Sequence, residues 1–232
     1  DIVRHYKPQT ILETGTWNGG RAIEMSLAAF EKSDKVHYIG YDLFEDATSE
    51  IDQEEFNSKA HNTLAAVEAR LTEFQEFVKK ERQKDFSFEL TKGNVKDVLN
   101  IKADNDIDFA LIGSGNSFNT VEYEYNTLKD IPVIVADHYF TKDEAEEIPP
   151  DVYQGVNQVF KSVSTKEVKS DEIPDVDGWV TFDDAATTRK YVLPSSDRVL
   201  GGGTTHLAVF LHDPNLKDLP EDVKRVPIVV HP

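Results

Sequence analysis

A strand-like segment, Thr10-Ile11-Leu12-Glu13, runs into the turn Thr14-Gly15-Thr16-Trp17-Asn18-Gly19-Gly20 and then into a helical pattern from Arg21 to Lys32. Glycines at such a turn let the backbone double back and let a ligand approach the main chain. The helix that follows opens on free N–H groups. Two phosphate-binding designs fail on spacing. A P-loop needs Gly-Lys-Ser/Thr, but Gly20 is followed by Arg21-Ala22; a dinucleotide fingerprint needs Gly-x-Gly-x-x-Gly, but here Gly15 is followed by Gly19. By itself the turn is either a ligand cradle or a plain structural turn. Asp42 closes the next apolar run, Val36–Tyr41. A carboxylate there can accept hydrogen bonds from both vicinal hydroxyls of a ribose; the alternative is an exposed strand-end acid. Gly93-Asn94 ends the alternating segment Phe86–Leu90, where an amide can reach an adenine edge. Asp137-His138 closes the apolar run Ile131–Ala136. An unpaired buried carboxylate is costly, so Asp137 faces the open mouth of a sheet or is paired. An imidazole titrates near neutral pH, so His138 suits a general base, against the alternative of a structural histidine. Trp17 and Tyr139 are aromatic surfaces for a ligand, or core.

These residues need elements that bring them to one edge. Short apolar runs alternate with amphipathic stretches, the pattern of parallel βα units. Ile107–Ile112 and Ile131–Ala136 are continuous apolar runs, as strands buried on both faces require. Val156–Val163 reads as a helix, and Lys190–Leu193 with His206–Leu211, joined through Gly201–Gly203, reads as an antiparallel hairpin. The expected fold is α/β: a Rossmann-like, doubly wound, seven-stranded sheet, mostly parallel with a reversed last strand and helices on both faces. Residues 1–232 are expected to form a single domain. Residues 45–84 would be a helical cover between strands two and three, and 141–185 a substrate-side insertion. Within 57–82, Ala60, Leu64, Val67, Leu71, Phe74 and Val78 recur at helical spacing, the stripe of a helix docked on the sheet or of a homodimer seam. Asp42–Glu55 carries seven acids and no base, as a solvated face or a cover over the site.

With 43 acidic against 25 basic residues, the net charge is −18, which repels nucleic acid at long range. The absence of cysteine excludes disulfides, thiolate metal centres and thiol nucleophiles. No segment approaches the length of a membrane span and no secretory leader opens the chain, so a cytoplasmic protein without membrane partners is expected.

Together, Glu13-Thr14-Gly15-Thr16-Trp17-Asn18-Gly19, Asp42, Asp137-His138-Tyr139 and Gly155-Val156 resemble the class I S-adenosylmethionine-dependent methyltransferases, in their small-molecule O-methyltransferase-like branch. The likeness spans Thr10 to about Leu211. It implies S-adenosylmethionine as cofactor, bound by Glu13, Gly15, Thr16, Trp17, Gly19, Asp42 and Asn94, with Glu13 and Gly15 at the methionine end. It further implies Asp137 and His138 as catalytic residues, and methyl transfer to an oxygen, or a nitrogen, of a small molecule or sugar. The chain departs from the branch at Gly113, where an aspartate is expected, and at Asn116, where a histidine is expected. Because a hard divalent cation needs several anionic ligands, no metal site is assigned and Mg²⁺ is the lesser expectation. Two other readings stand beside transfer: a non-catalytic S-adenosylmethionine or nucleoside-binding module on the same fold, and an NAD(P)-dependent oxidoreductase. The missing Gly-x-Gly argues against the second.

Overall fold

The computed structural model describes residues 1–57, 59–101, 106–140, 155–165, 167–169, 187–198 and 204–220. Its elements are α1 (Ile2–Tyr6), β1 (Thr10–Thr14), α2 (Gly20–Ala29), β2 (Lys35–Asp42), a 3₁₀ turn (Phe44–Asp46), α3 (Ser49–Glu54), α4 (Leu64–Arg82), β3 (Asp85–Lys92) and α5 (Val95–Val98). They continue with β4 (Phe109–Ile112), α6 (Phe118–Leu128), β5 (Val133–Tyr139), α7 (Gly155–Ser162), β6 (Glu167–Lys169), β7 (Arg189–Arg198) and β8 (Thr204–Leu211).

All eight strands join one sheet in the order β3-β2-β1-β4-β5-β8-β7-β6. The first five pair in parallel, β8 runs antiparallel to both β5 and β7, and β6 is parallel to β7. The seven expected strands are present, the last of them, β8, reversed. The three-residue β6 adds an eighth at the edge, too short and polar to register as a strand pattern.

The continuous apolar runs follow from burial on both faces. On one face Ile11, Tyr38, Phe86, Phe109 and Val133 pack against Val3, Ala22, Ala29, Leu71 and Val78 of α1, α2 and α4. On the other, Leu12, Ile39, Ala110 and Ile134 pack against Val95, Val121, Tyr125, Val156 and Phe160 of α5, α6 and α7. After β1 the chain winds outward through β2 and β3, then returns to place β4 on the other side of β1. That reversal opens a crevice beyond the C-terminal ends of β1 and β4, the usual ligand position in such sheets.

Some boundaries differ from expectation. The long helix begins at Leu64 rather than Asn57, because the Thr63 hydroxyl accepts the Ala66 N–H and caps it there. Ala60 therefore lies outside the helix, while Val67, Leu71, Phe74 and Val78 form its buried stripe. Helix α2 stops at Ala29, and Lys32 closes back on the Ala29 carbonyl in a turn. The Gly201–Gly203 connection and residues 141–154, 166 and 170–185 of the expected insertion lie outside the described residues. Among the described residues no helix is long and apolar enough to cross a membrane.

Candidate functional site

The turn after β1 is held by its neighbours on both sides. Gly15 has φ of 82° and donates its N–H to the Tyr41 carbonyl at 2.8 Å. A Cβ at Gly15 would collide with the carbonyl of Gly113, so only glycine permits this close approach to β4. Gly19, at φ 74°, lets α4 approach: a Cβ there would meet Val67 at 3.2 Å. Thr16 is buried beneath the turn, its hydroxyl 3.1 Å from that of Tyr38. Trp17 adopts φ of 51°, donates its indole N–H to the Ala60 carbonyl at 2.9 Å, and has the Lys59 ammonium 5.5 Å from its ring centre.

Asp42 stands at the end of β2, as expected, and its carboxylate already organises the turn. One oxygen accepts the Trp17 N–H at 2.7 Å and the other the Phe44 N–H at 2.7 Å. Each carboxylate oxygen has a second acceptor site, so these bonds leave capacity for hydroxyl donors. Gly93 donates to the Asp42 carbonyl at 2.9 Å, bringing Asn94 to the same corner. There the Asn94 side chain caps α5 through the Lys96 N–H.

At the centre of the edge Glu13 is fully buried. The Tyr38 hydroxyl donates to its Oε2 at 2.5 Å, while Oε1 has no hydrogen-bond partner. Burial pushes this carboxyl up to about 8, against the Tyr38 hydrogen bond that favours the charged form, so Glu13 is mostly protonated at neutral pH. Asp137, near the end of β5, is buried and paired rather than open to solvent. Its Oδ2 lies 2.5 Å from Nη2 of Arg21, the second residue of α2. Burial pushes its pKa up, but the charges of His138 and Arg21, with the hydrogen bonds donated by the Arg21 guanidinium and the His138 N–H, hold it below the usual carboxylate range.

His138 itself has φ of 65° and sits where β5 bulges against β8 between Ala136 and Tyr139. A bulge at a strand end re-aims a side chain, and the imidazole Nδ1 lies 3.6 Å from Asp137 Oδ2. Tyr139 belongs to the core, 2 % exposed and edge-on to Phe160.

Glu55, which sequence reasoning left inside an acidic run, is a buried anchor. Its carboxylate accepts the N–H groups of Asn116 and Ser117 and the hydroxyls of Ser117 and Thr120, bracing the turn that leads into α6. Asn116 is thereby tied to the acidic segment through its own amide as well. Beneath this loop Glu124 is fully buried with Ser114 donating to it at 2.5 Å, and burial pushes it up to about 7. Arg21, Tyr38 and Glu55 escaped the sequence reading. Only Arg21 had a signal: a buried acid at Asp137 demands a cation, and Arg21 opens the helix that faces it.

Among the described residues no three His, Asp or Glu side chains converge as a metal-holding group. A cleft of about 390 Å³ lined by Lys129, Asp130, Pro132, Thr187, His212 and Asp213 lies at the opposite, N-terminal end of β5, away from these groups.

No family model and no curated protein matches the chain. Among solved structures it is similar to the O-methyltransferase TomG from Streptomyces achromogenes, involved in tomaymycin synthesis and solved with SAM. The TM-score is 0.52 at 16% identity, over 91% of this chain and 76% of that one. It is also similar to the O-methyltransferase from Bacillus cereus solved with SAH, at TM-score 0.50 and 14% identity, over 91% and 77% respectively. At these identities the likeness establishes the fold alone: a Rossmann-like sheet with helices on both faces.

Proposed function

We propose that this chain binds S-adenosylmethionine along the C-terminal edge of its sheet and transfers the methyl group to an oxygen, or a nitrogen, of a small molecule. One observation carries the reading: the glycine turn, the strand-end Asp42 and the Asp137–His138 pair share one sheet edge, on a fold whose solved neighbours include two O-methyltransferases. The residues fit a ligand with a nucleoside: Asp42 has acceptor capacity for hydroxyl donors, and Glu13, mostly protonated, has a buried oxygen without a partner.

When bound, S-adenosylmethionine supplies a methyl group already activated by its sulfonium. The chain's work is then alignment and proton handling. Asp42 and Asn94 hold the nucleoside at β2 and β3. The Gly15–Gly19 turn sets the depth of the ligand over β1. The His138 imidazole accepts the proton that the acceptor hydroxyl loses, and Asp137 favours the resulting imidazolium across 3.6 Å. Asp137 is a poor base itself, because the charges of His138 and Arg21 hold its carboxylate low. The cysteine-free composition fits a cytoplasmic enzyme.

Calorimetric titration with S-adenosylmethionine and with NADH, each with and without Mg²⁺, tests the reading. Binding of the first alone is expected, unaffected by magnesium. Asp42→Ala should weaken it at least about tenfold, the loss of one charge-assisted hydrogen-bond set. Unchanged affinity would remove the ribose role. Binding without transfer to any of a panel of hydroxyl and amine acceptors would instead favour a non-catalytic module.

A further inference from the structure

The two edges of the sheet are unlike. At one, β6 is only 3 residues long. At the other, β3 runs for 8 residues and pairs with β2 alone. The apolar stripe of α4 is buried against this sheet, which leaves no stripe there for a second chain. A long free edge is a template for another strand unless something blunts it.

The main-chain groups of β3 alternate in direction. Asp85 and Gly93 donate inward, to the carbonyls of Asp34 and Asp42. The odd-numbered residues between them therefore face β2, and Phe86, Phe88, Leu90 and Lys92 turn their N–H and C=O groups outward. Gln75 of α4 blunts the first of these, donating its amide to the Phe86 carbonyl at 2.6 Å. Among the described residues no donor or acceptor reaches the outward main-chain groups of Phe88, Leu90 or Lys92.

We propose that this open stretch is the seam of a homodimer, in which β3 pairs antiparallel with β3 of a second copy about a two-fold axis at Leu90. The occupant follows from the symmetry of the stretch. Leu90 is its midpoint, so the axis sets Leu90 against the partner's Leu90 and Phe88 against the partner's Lys92. Every outward group then exchanges bonds with another. Lys92 brings no unpaired charge to the seam, because Glu45 and Asp46 hold its ammonium. On the other face of the strand Glu89 meets the partner's Thr91. Moving the axis to Glu89 would set like charges directly opposite and drive the partner's Lys92 against the blocked Phe86. This pairing stands or falls independently of the cofactor.

Sedimentation of the unaltered chain from about 1 to 100 μM tests it, the range expected of a small seam held largely by main-chain bonds. The mass should rise from 26.2 kDa toward twice that value. It should rise further in about 1 M salt, since a net charge of −18 on each copy opposes association. Leu90→Lys sets two ammonium groups on the axis and should weaken the dimer about 5- to 30-fold. The chain has no cysteine, so one introduced thiol reports the register. Under oxidation Leu90→Cys should give a disulfide-linked dimer, its Cα atoms about 5.5 Å apart across the axis. Ser87→Cys should not, because about 20 Å of strand separates it from its copy. A monomer at every concentration and salt, a dimer that Leu90→Lys leaves intact, or equal cross-linking of the two cysteine variants would overturn the pairing.

Discussion

At the scale of single residues, the site is made of backbone conformations that most side chains resist. Gly15 combines φ of 82° with a carbonyl where a Cβ would go. Gly15→Ala must therefore adopt a left-handed conformation and push β4 away, and should cost about 2–4 kcal/mol in urea unfolding. A midpoint unchanged from the parent would show that the turn relaxes freely. His138 holds a positive φ without being glycine or asparagine, a strain that persists only where surrounding structure enforces it. His138→Gly should raise stability by about 0.5–1 kcal/mol by relieving the positive φ and, on the role proposed for the imidazole, abolish methyl transfer. Loss of stability together with full activity would make His138 a structural residue. The glycines and the strand-end acids were readable because each is forced by local geometry. The partners of those acids were not, because Arg21 lies 116 residues from Asp137.

At the scale of elements, the acidic stretch after β2 shows how a charge run can mislead. Its acids are not equivalent. Glu45 accepts the Leu64 N–H and, with Asp46, pairs with Lys92, whereas Glu55 is buried and braces the turn before α6. Glu55→Ala removes four donors' acceptor at once. It should lower stability by about 1–3 kcal/mol. It should also expose the segment 43–57 to limited proteolysis, since this carboxylate ties that segment to the loop after β4. Unaltered cleavage would mean that Phe44, fully buried, is sufficient to seat the segment. Composition left a solvated face or a cover over the site open here, because nothing local distinguishes Glu55 from Glu54. The helix stripe of α4 was legible, since Val67, Leu71, Phe74 and Val78 repeat at helical spacing. Its start was displaced by the Thr63 cap, a side-chain hydrogen bond that periodicity does not see.

At the scale of the molecule, two fully buried carboxyls set a pH dependence. Burial raises Glu13 to about 8 and Glu124 to about 7. Both lose their protons more easily in the unfolded chain, so the folded state binds more protons between the ordinary carboxylate range and those values. Stability therefore falls as pH rises from about 5 to 8. Asp137 works in the opposite sense: its lowered pKa adds stability that is lost only in acid. Urea midpoints should thus be higher at pH 5 than at pH 8. Glu124→Gln should flatten the fall, stabilising by about 1–3 kcal/mol at pH 8 and little at pH 5. An unchanged slope in that variant would assign the pH dependence to the general repulsion of a chain at −18 instead.

The amino-acid sequence by itself determined the sheet and its reversed strand, and the edge at which the candidate site residues gather. Strands buried on both faces must be continuous apolar runs, and a turn that doubles back against its neighbours must be glycine. These are constraints within a few residues of chain. Only the tertiary structure decided which charges meet. It placed Arg21 on Asp137, buried Glu55 under a loop more than 60 residues away, left Glu13 with an oxygen unpartnered, and added β6 to the edge. Ion pairing and desolvation depend on distances across the fold rather than along the chain, and no local pattern of residues encodes them.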